Sequence, residues 1–191
     1  MMNHIDVSSV LRQTVACDLY SNLVTRSTGA AVRGQIERLL GDFGDAGGRA
    51  LTVIDFSHVA MIDFSCADEV VAKLLMRYAD ADAPGDAYFL FRGVNDDHWD
   101  AISAVLDRHG LALALEADDG VRVVGVLSDD ERRAWRAAYD LGRVGAADVA
   151  SELGADTADA ERALDSLCRR RLVMRVDGDY VAVGGGFIGG Q

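Results

Sequence analysis

Residues Leu51 to Tyr78 read LTVIDFSHVAMIDFSCADEVVAKLLMRY, and this stretch decides the fold. Its first four residues, Leu51-Thr52-Val53-Ile54, are mostly apolar and rich in β-branched side chains, the composition of a strand buried on both faces. Asp55 ends that strand. A short turn leads to Met61-Ile62 and then to Asp63-Phe64-Ser65, after which Val70, Val71, Leu74, Leu75 and Tyr78 recur at helical spacing. The pattern predicts a helix with Ser65 as its N-cap and Asp68 and Glu69 in its first turn, where free backbone amides favour carboxylates. A strand hands a hydroxyl to the mouth of a helix.

That hydroxyl has two readings. As a cap alone it contributes about 1 kcal/mol. As a phosphoacceptor it would place a phosphate where the helix dipole and unpaired amides attract anions. Asp63, Asp68 and Glu69 oppose the second reading, and no arginine stands nearby in the sequence to offset them.

The segment Asp55-Phe56-Ser57-His58-Val59, followed by Ile62-Asp63-Phe64-Ser65 and an apolar helix, resembles the sulphate-transporter and anti-sigma-factor-antagonist (STAS) domains. Phe64 stands where that family often has Ser, and Cys66 where it usually has Gly. A related STAS-like group of undefined function is similar in another respect: Val24-Thr25-Arg26-Ser27, a helix from Thr28 to Leu40, then Val53-Ile54-Asp55-Phe56-Ser57 follow the order of that group. The resemblance covers roughly residues 15 to 115 and implies an α/β sheet covered by helices. It further implies a non-enzymatic regulatory protein that docks a kinase-like or anti-sigma-like protein through Asp55, Ser57, His58, Asp63, Ser65 and Asp68. Ser65 is the hydroxyl that the resemblance makes the phosphoacceptor.

Composition sets the limits. The 191 residues are half hydrophobic with one proline and a net charge of −12, which describes a folded chain with little affinity for nucleic acid or anionic membrane as a whole. Cys17, Cys66 and Cys168 have no paired spacing, so neither a metal box nor a disulfide framework is expected, and a reducing cytoplasm is. No cofactor motif stands out. The four histidines are scattered, no glycine-flanked serine elbow is present, and His58 with Ser57 and Asp63 lacks the orienting partners of a hydrolase triad. Asp55 and Asp63 alone are too few oxygen ligands for a hard cation.

Outward from the central stretch, Val7 to Val15 and Leu19 to Val24 carry enough β-branched residues for two short strands, with a turn at Ala16-Cys17-Asp18. Val32, Ile36, Leu39 and Leu40 mark a helix that the glycine-rich run Gly41 to Gly48 ends. Downstream, Ala87 to Phe91 is a buried strand, Asn95 or Asp96 caps a helix that Gly110 stops, and Leu111 to Leu115 and Val121 to Leu127 return as strands. Residues 1–127 thus form one α/β domain.

At Ser128 the pattern changes. Ser128-Asp129-Asp130-Glu131 has capping-box form, and helices are predicted from it, from Ala146 to Leu153, and from about Thr157 to Arg171. Leu172 to Val176, Asp177-Gly178-Asp179 and Tyr180 to Val183 read as a hairpin. Residues 128–184 resemble a winged helix-turn-helix domain, a small α+β unit, and 185–191 read as a flexible tail. That resemblance implies DNA contacts through Arg162, Arg169, Arg170 and Arg175, or a protein-contact or homodimer role. Asp159, Asp165 and the acidic turn oppose DNA. The leading expectation is a partner-binding regulator; the alternative is a transcription regulator in which residues 1–127 sense and 128–184 bind DNA.

Overall fold

A parallel sheet whose strands follow one another in chain order, joined by crossovers of one hand, carries all its connecting helices on one face. This chain follows that rule. The computed structural model describes residues 2–14, 22–44 and 49–185. Its main sheet has the order β1 (Met2–Asp6), β3 (Ala50–Asp55), β5 (Ala87–Arg92), β6 (Ala112–Ala117) and β7 (Gly120–Gly125). The first four run parallel and β7 is antiparallel to β6. A two-residue pair, β2 (Asn22–Leu23) with β4 (Met61–Ile62), lies beside it.

Five helical elements cover one face: α1 (Val7–Thr14), α2 (Arg26–Gly44), α3 (Phe64–Ala67), α4 (Leu74–Ala79) and α5 (Asp96–His109), with a π-helical stretch Asp68–Lys73 joining α3 to α4. Their core residues meet Ile54, Phe89, Phe91, Leu113 and Leu115. Alternation along each strand sends Leu51, Val53, Tyr88, Leu90, Ala112 and Ala114 the other way. Among the described residues no crossover helix is left to cover them.

The C-terminal residues do so. Helices α6 (Asp129–Leu141), α7 (Ala146–Leu153) and α8 (Thr157–Arg169) pack with a three-stranded antiparallel sheet ordered β8 (Arg143–Val144), β10 (Asp179–Ala182) and β9 (Val173–Val176). Trp135, Leu164, Leu167 and Met174 share one buried cluster with the second face of the main sheet. Ser128 caps α6 as expected: its Oγ accepts from the Glu131 amide at 3.2 Å, while Glu131 Oε2 accepts from the Ser128 amide at 2.8 Å. The break at Leu127 is a change of architecture and not of core.

Four local expectations are corrected. Of the strand expected over Val7 to Val15, Val7–Thr14 is helix α1, Val15 lies outside the described residues, and a strand lies upstream at Met2–Asp6. Asp6 accepts from the Ser8 and Ser9 amides at 2.9 and 3.4 Å, and Val7, Val10 and Leu11 are buried at helical spacing, so periodicity outweighs the β-branched composition. Of the strand expected over Leu19 to Val24, Asn22–Leu23 is strand and Val24 is not, while Leu19 to Ser21 and the turn at Ala16 to Asp18 lie outside the described residues. The helix expected to stop at Leu40 continues to Gly44, and residues 45–48 again lie outside. Gly185, placed in the tail from sequence, is buried and donates to the Ala182 carbonyl at 2.9 Å; 186–191 are outside the described residues. Among the described residues no helix is long and apolar enough to cross a membrane.

Candidate functional site

Asp63, not Ser65, is the N-cap of α3. Its backbone is extended and its Oδ1 accepts from the Cys66 amide at 2.8 Å and from Ser65 Oγ at 2.9 Å, so Ser65 stands half-buried in the first turn. The other carboxylate oxygen, Oδ2, accepts from the Thr25 amide at 3.2 Å. Asp63 therefore ties the start of α3 to the start of α2. Burial works to raise its carboxyl, but the Cys66 amide, Ser65 hydroxyl and Thr25 amide outweigh it and hold the group below the ordinary carboxylate value.

Thr25 is the strained member of this junction, with φ +80°. Its carbonyl accepts from Cys66 Sγ at 2.9 Å and from the Gly29 amide at 3.1 Å, and its hydroxyl lies 3.0 Å from that of Thr28. Gly29 permits the contact: a Cβ there would stand 2.9 Å from Cys66 Cα. Burial first, then Asp63, pushes the Cys66 thiol up to about 12, so it is a packed donor rather than a nucleophile.

Beneath this mouth lies an ion network that sequence spacing did not reveal. Asp68 and Glu69 are 6% and 2% exposed, and Arg26 Nη1 bridges them at 2.9 Å each. His109 Nε2 reaches Asp68 at 2.7 Å, Lys73 bonds Glu69, and Arg33 Nη2 stands 3.4 Å from Glu69 Oε2, an ion-pair distance that leaves that oxygen without a hydrogen bond. Burial acts to raise both carboxyls; for Asp68 the bonds from Arg26 and His109 prevail, for Glu69 those from Lys73 and Arg26, and both sit below their ordinary values. The arginine missing from the local sequence arrives from α2. A π stretch places Asp68 and Glu69 inward, against the expectation that Asp68 is part of an exposed docking face.

Asp55 is also turned in, at 7% exposure. It ends β3 at the carboxyl edge of the sheet, accepting from the Ser57 amide and His4 Nε2 at 2.8 Å each, with Arg92 Nη1 at 3.7 Å. Arg92 is held in turn by Glu116 at 2.8 Å. Gly93, at φ +68°, lets this edge close, since a Cβ would fall 2.4 Å from the Ser57 amide nitrogen. Ser57 and His58 are exposed, and His58 faces Asp6 at 3.5 Å. Of the six residues expected to dock a partner, Ser57, His58, Asp63 and Ser65 reach the surface, while Asp55 and Asp68 support it from inside. Around them the exposed apolar side chains Val24, Met61 and Phe64 complete a rim, with the Arg108 guanidinium 5.6 Å above the Phe64 ring. Among the described residues no cluster of three metal-ligating side chains occurs.

The arginines of the C-terminal unit divide. Arg162 and Arg169 are exposed on α8, with Arg162 paired to Asp159. Arg175 lies 5.3 Å over the Tyr180 ring and 3.6 Å from Asp165. Arg170 does not face outward as expected: it donates to the Val126 carbonyl at 2.6 Å and stands 3.5 Å from Glu131. The hairpin acids Asp177 and Asp179 are both paired with Arg143, at 3.3 and 2.8 Å. In comparisons with protein-family models, with curated proteins and with solved structures, nothing matched this chain.

Proposed function

We propose that this chain is a non-enzymatic regulatory protein of STAS-like character, which docks a protein partner over the rim of Val24, Met61 and Phe64 and is switched by phosphorylation of Ser65. The observation that carries this reading is the position of Ser65: half-buried beside exposed apolar side chains, its proton held by the carboxylate that joins two helix starts. A phosphate on Ser65 removes the hydroxyl donor from Asp63 and sets about two negative charges against it. The Asp63 link to Thr25 then weakens, and the rim changes shape and charge together. The partner is a kinase-like or anti-sigma-like regulator in the cytoplasm.

Capture from native extract by Ser65→Ala and Ser65→Asp forms, read by mass analysis of the bound protein, tests the switch. Retention by the first with at least about a tenfold loss by the second is expected. Equal capture by both removes the switch, and undiminished capture by a Met61→Asp/Phe64→Asp double variant removes the docking surface.

One observation favours a second reading, a winged helix that binds DNA. Strand β8, between α6 and α7, pairs with β10, which supports the resemblance to that module, and Arg143 offsets one of the two hairpin charges that opposed DNA in the sequence. Salt-dependent binding to duplex DNA, lost in an Arg162→Ala/Arg169→Ala variant, supports this reading; no binding at low salt ends it.

A further inference from the structure

We propose that the outer edge of β7 pairs antiparallel with the same edge of a second copy of this chain, about a two-fold axis at Val123, so that the two main sheets become one. Strand β7 ends its sheet, with β6 as its strand neighbour and none on the other side among the described residues. The middle of the strand, Val121-Arg122-Val123-Val124, carries none of the proline, lysine or bulge that shield an edge.

Ladder alternation sorts its backbone groups. The Val126 amide donates to the Leu111 carbonyl at 2.8 Å, so the even-numbered residues of β7 face β6, while 121, 123 and 125 face out. Helix α6 takes one outward group at each end. The Val121 amide donates to the Tyr139 hydroxyl at 3.4 Å, and the Gly125 carbonyl accepts from Arg132 Nη2 at 2.6 Å. The Val121 carbonyl, both groups of Val123 and the Gly125 amide are left without a protein partner among the described residues.

That remainder selects its partner. On a two-fold axis through Val123, residue 123 faces 123 and residue 121 faces 125. Val123 of each copy then gives and takes a hydrogen bond, and each Gly125 amide donates to the Val121 carbonyl opposite. The groups that would otherwise meet at the ends, the Val121 amide and the Gly125 carbonyl, are satisfied on both copies by Tyr139 and Arg132. A strand of any other sequence, residues 186–191 included, brings a carbonyl and an amide to those positions, finds their partners taken and leaves both unpaired. The side chains agree with this register. On the face that carries Val124, Arg122 falls between Val124 and Val126 of the second copy, and its apolar stem covers Val126, which is 41% exposed in the single chain. None of these residues belongs to the rim around Ser65, so the two surfaces stand or fail separately.

Sedimentation equilibrium of the full chain over a concentration series tests the pairing. A monomer-dimer equilibrium is expected, with hydrogen exchange at the Val123 and Gly125 amides slowing as the dimer fills. Val123→Pro removes an outward N–H and no bond to β6, so it is expected to keep the wild-type circular dichroism and to weaken the dimer at least about tenfold. Val126→Asp, at an exposed side chain, weakens it in the same direction and serves in place of the proline variant if that one does not fold. A chain that stays monomeric up to about 1 mM overturns the proposal, as does a dimer that the folded variants leave unchanged. Protection of the Val123 amide that is independent of concentration and lost in a chain ending at Gly185 overturns it too, because residues 186–191 are then the occupant of the edge.

Discussion

The two faces of the central sheet are covered by different means. On one, the helices that cover each strand are the ones that connect it to its neighbour, so cover and connection are the same residues. On the other, the cover comes from beyond residue 127, distant in sequence from β3 and β5. The same strand serves both: Ile54 faces the first core and Val53 the second. A sheet whose strands keep chain order has no reversal point to place helices on its second side, so an appended unit becomes part of the fold rather than an accessory.

The largest effect expected is from removing that unit. A fragment ending at Leu127 exposes Leu51, Val53, Tyr88, Leu90, Ala112 and Ala114 together, a contiguous apolar surface of the kind that drives association. It is expected to aggregate or melt without cooperativity, as read by size-exclusion chromatography and circular dichroism. A monomeric fragment with a sharp transition would show that the first face suffices. Next come single truncations inside each core. Phe56→Ala and Trp135→Ala each remove a fully buried aromatic ring and are expected to cost about 3–5 kcal/mol in denaturant unfolding. Equal losses on a single transition mark one cooperative unit; two transitions with each variant moving only its own mark two.

Legibility in the sequence also differed between the faces. Residues 128–184 were read nearly to their boundaries, because capping box, helical periodicity and an Asp-Gly turn agree there. Only β8 escaped, at two residues too short to carry a pattern. Val7 to Thr14 was misread because β-branched composition and helical spacing disagree, and the Asp6 cap decides between them. At the site, Asp63 and Ser65 were both able to cap; the carboxylate prevails because it reaches the Cys66 and Thr25 amides at once. Arg26 could not be foreseen as the partner of Asp68 and Glu69, since they lie 42 and 43 positions away and a π stretch, not an ideal helix, aims those carboxylates.

That network gives the first face a pH dependence. Asp68 and Glu69 have folded values below their unfolded ones, so their contribution is complete above about pH 4 to 5 and is lost as pH falls through the folded values. Glu69→Gln is therefore expected to be less stable than the wild type at neutral pH and to approach it in acid. A constant difference across pH would mean that Glu69 acts through packing alone. Glu131, also held low against the effect of burial by Ser128, Ser166 and Arg170, extends the same trend to the second cover.

The smallest expected effect separates the two covers most cleanly. Asn95 caps α5 on the first face and Ser128 caps α6 on the second, each accepting from the amide three residues on, at 3.0 and 3.2 Å. Either cap replaced by alanine is expected to lose about 1 kcal/mol, a melting shift of roughly 2–4 °C for a chain of this size. Because the losses match and the sites lie on opposite faces, the transition itself becomes the readout. If the shared core makes one unit, both variants displace the whole curve equally by calorimetry. If Ser128→Ala instead broadens the transition while Asn95→Ala only shifts it, the second cover opens first, and the Arg171 hold on Asp86 and Tyr78 is the contact it leaves behind.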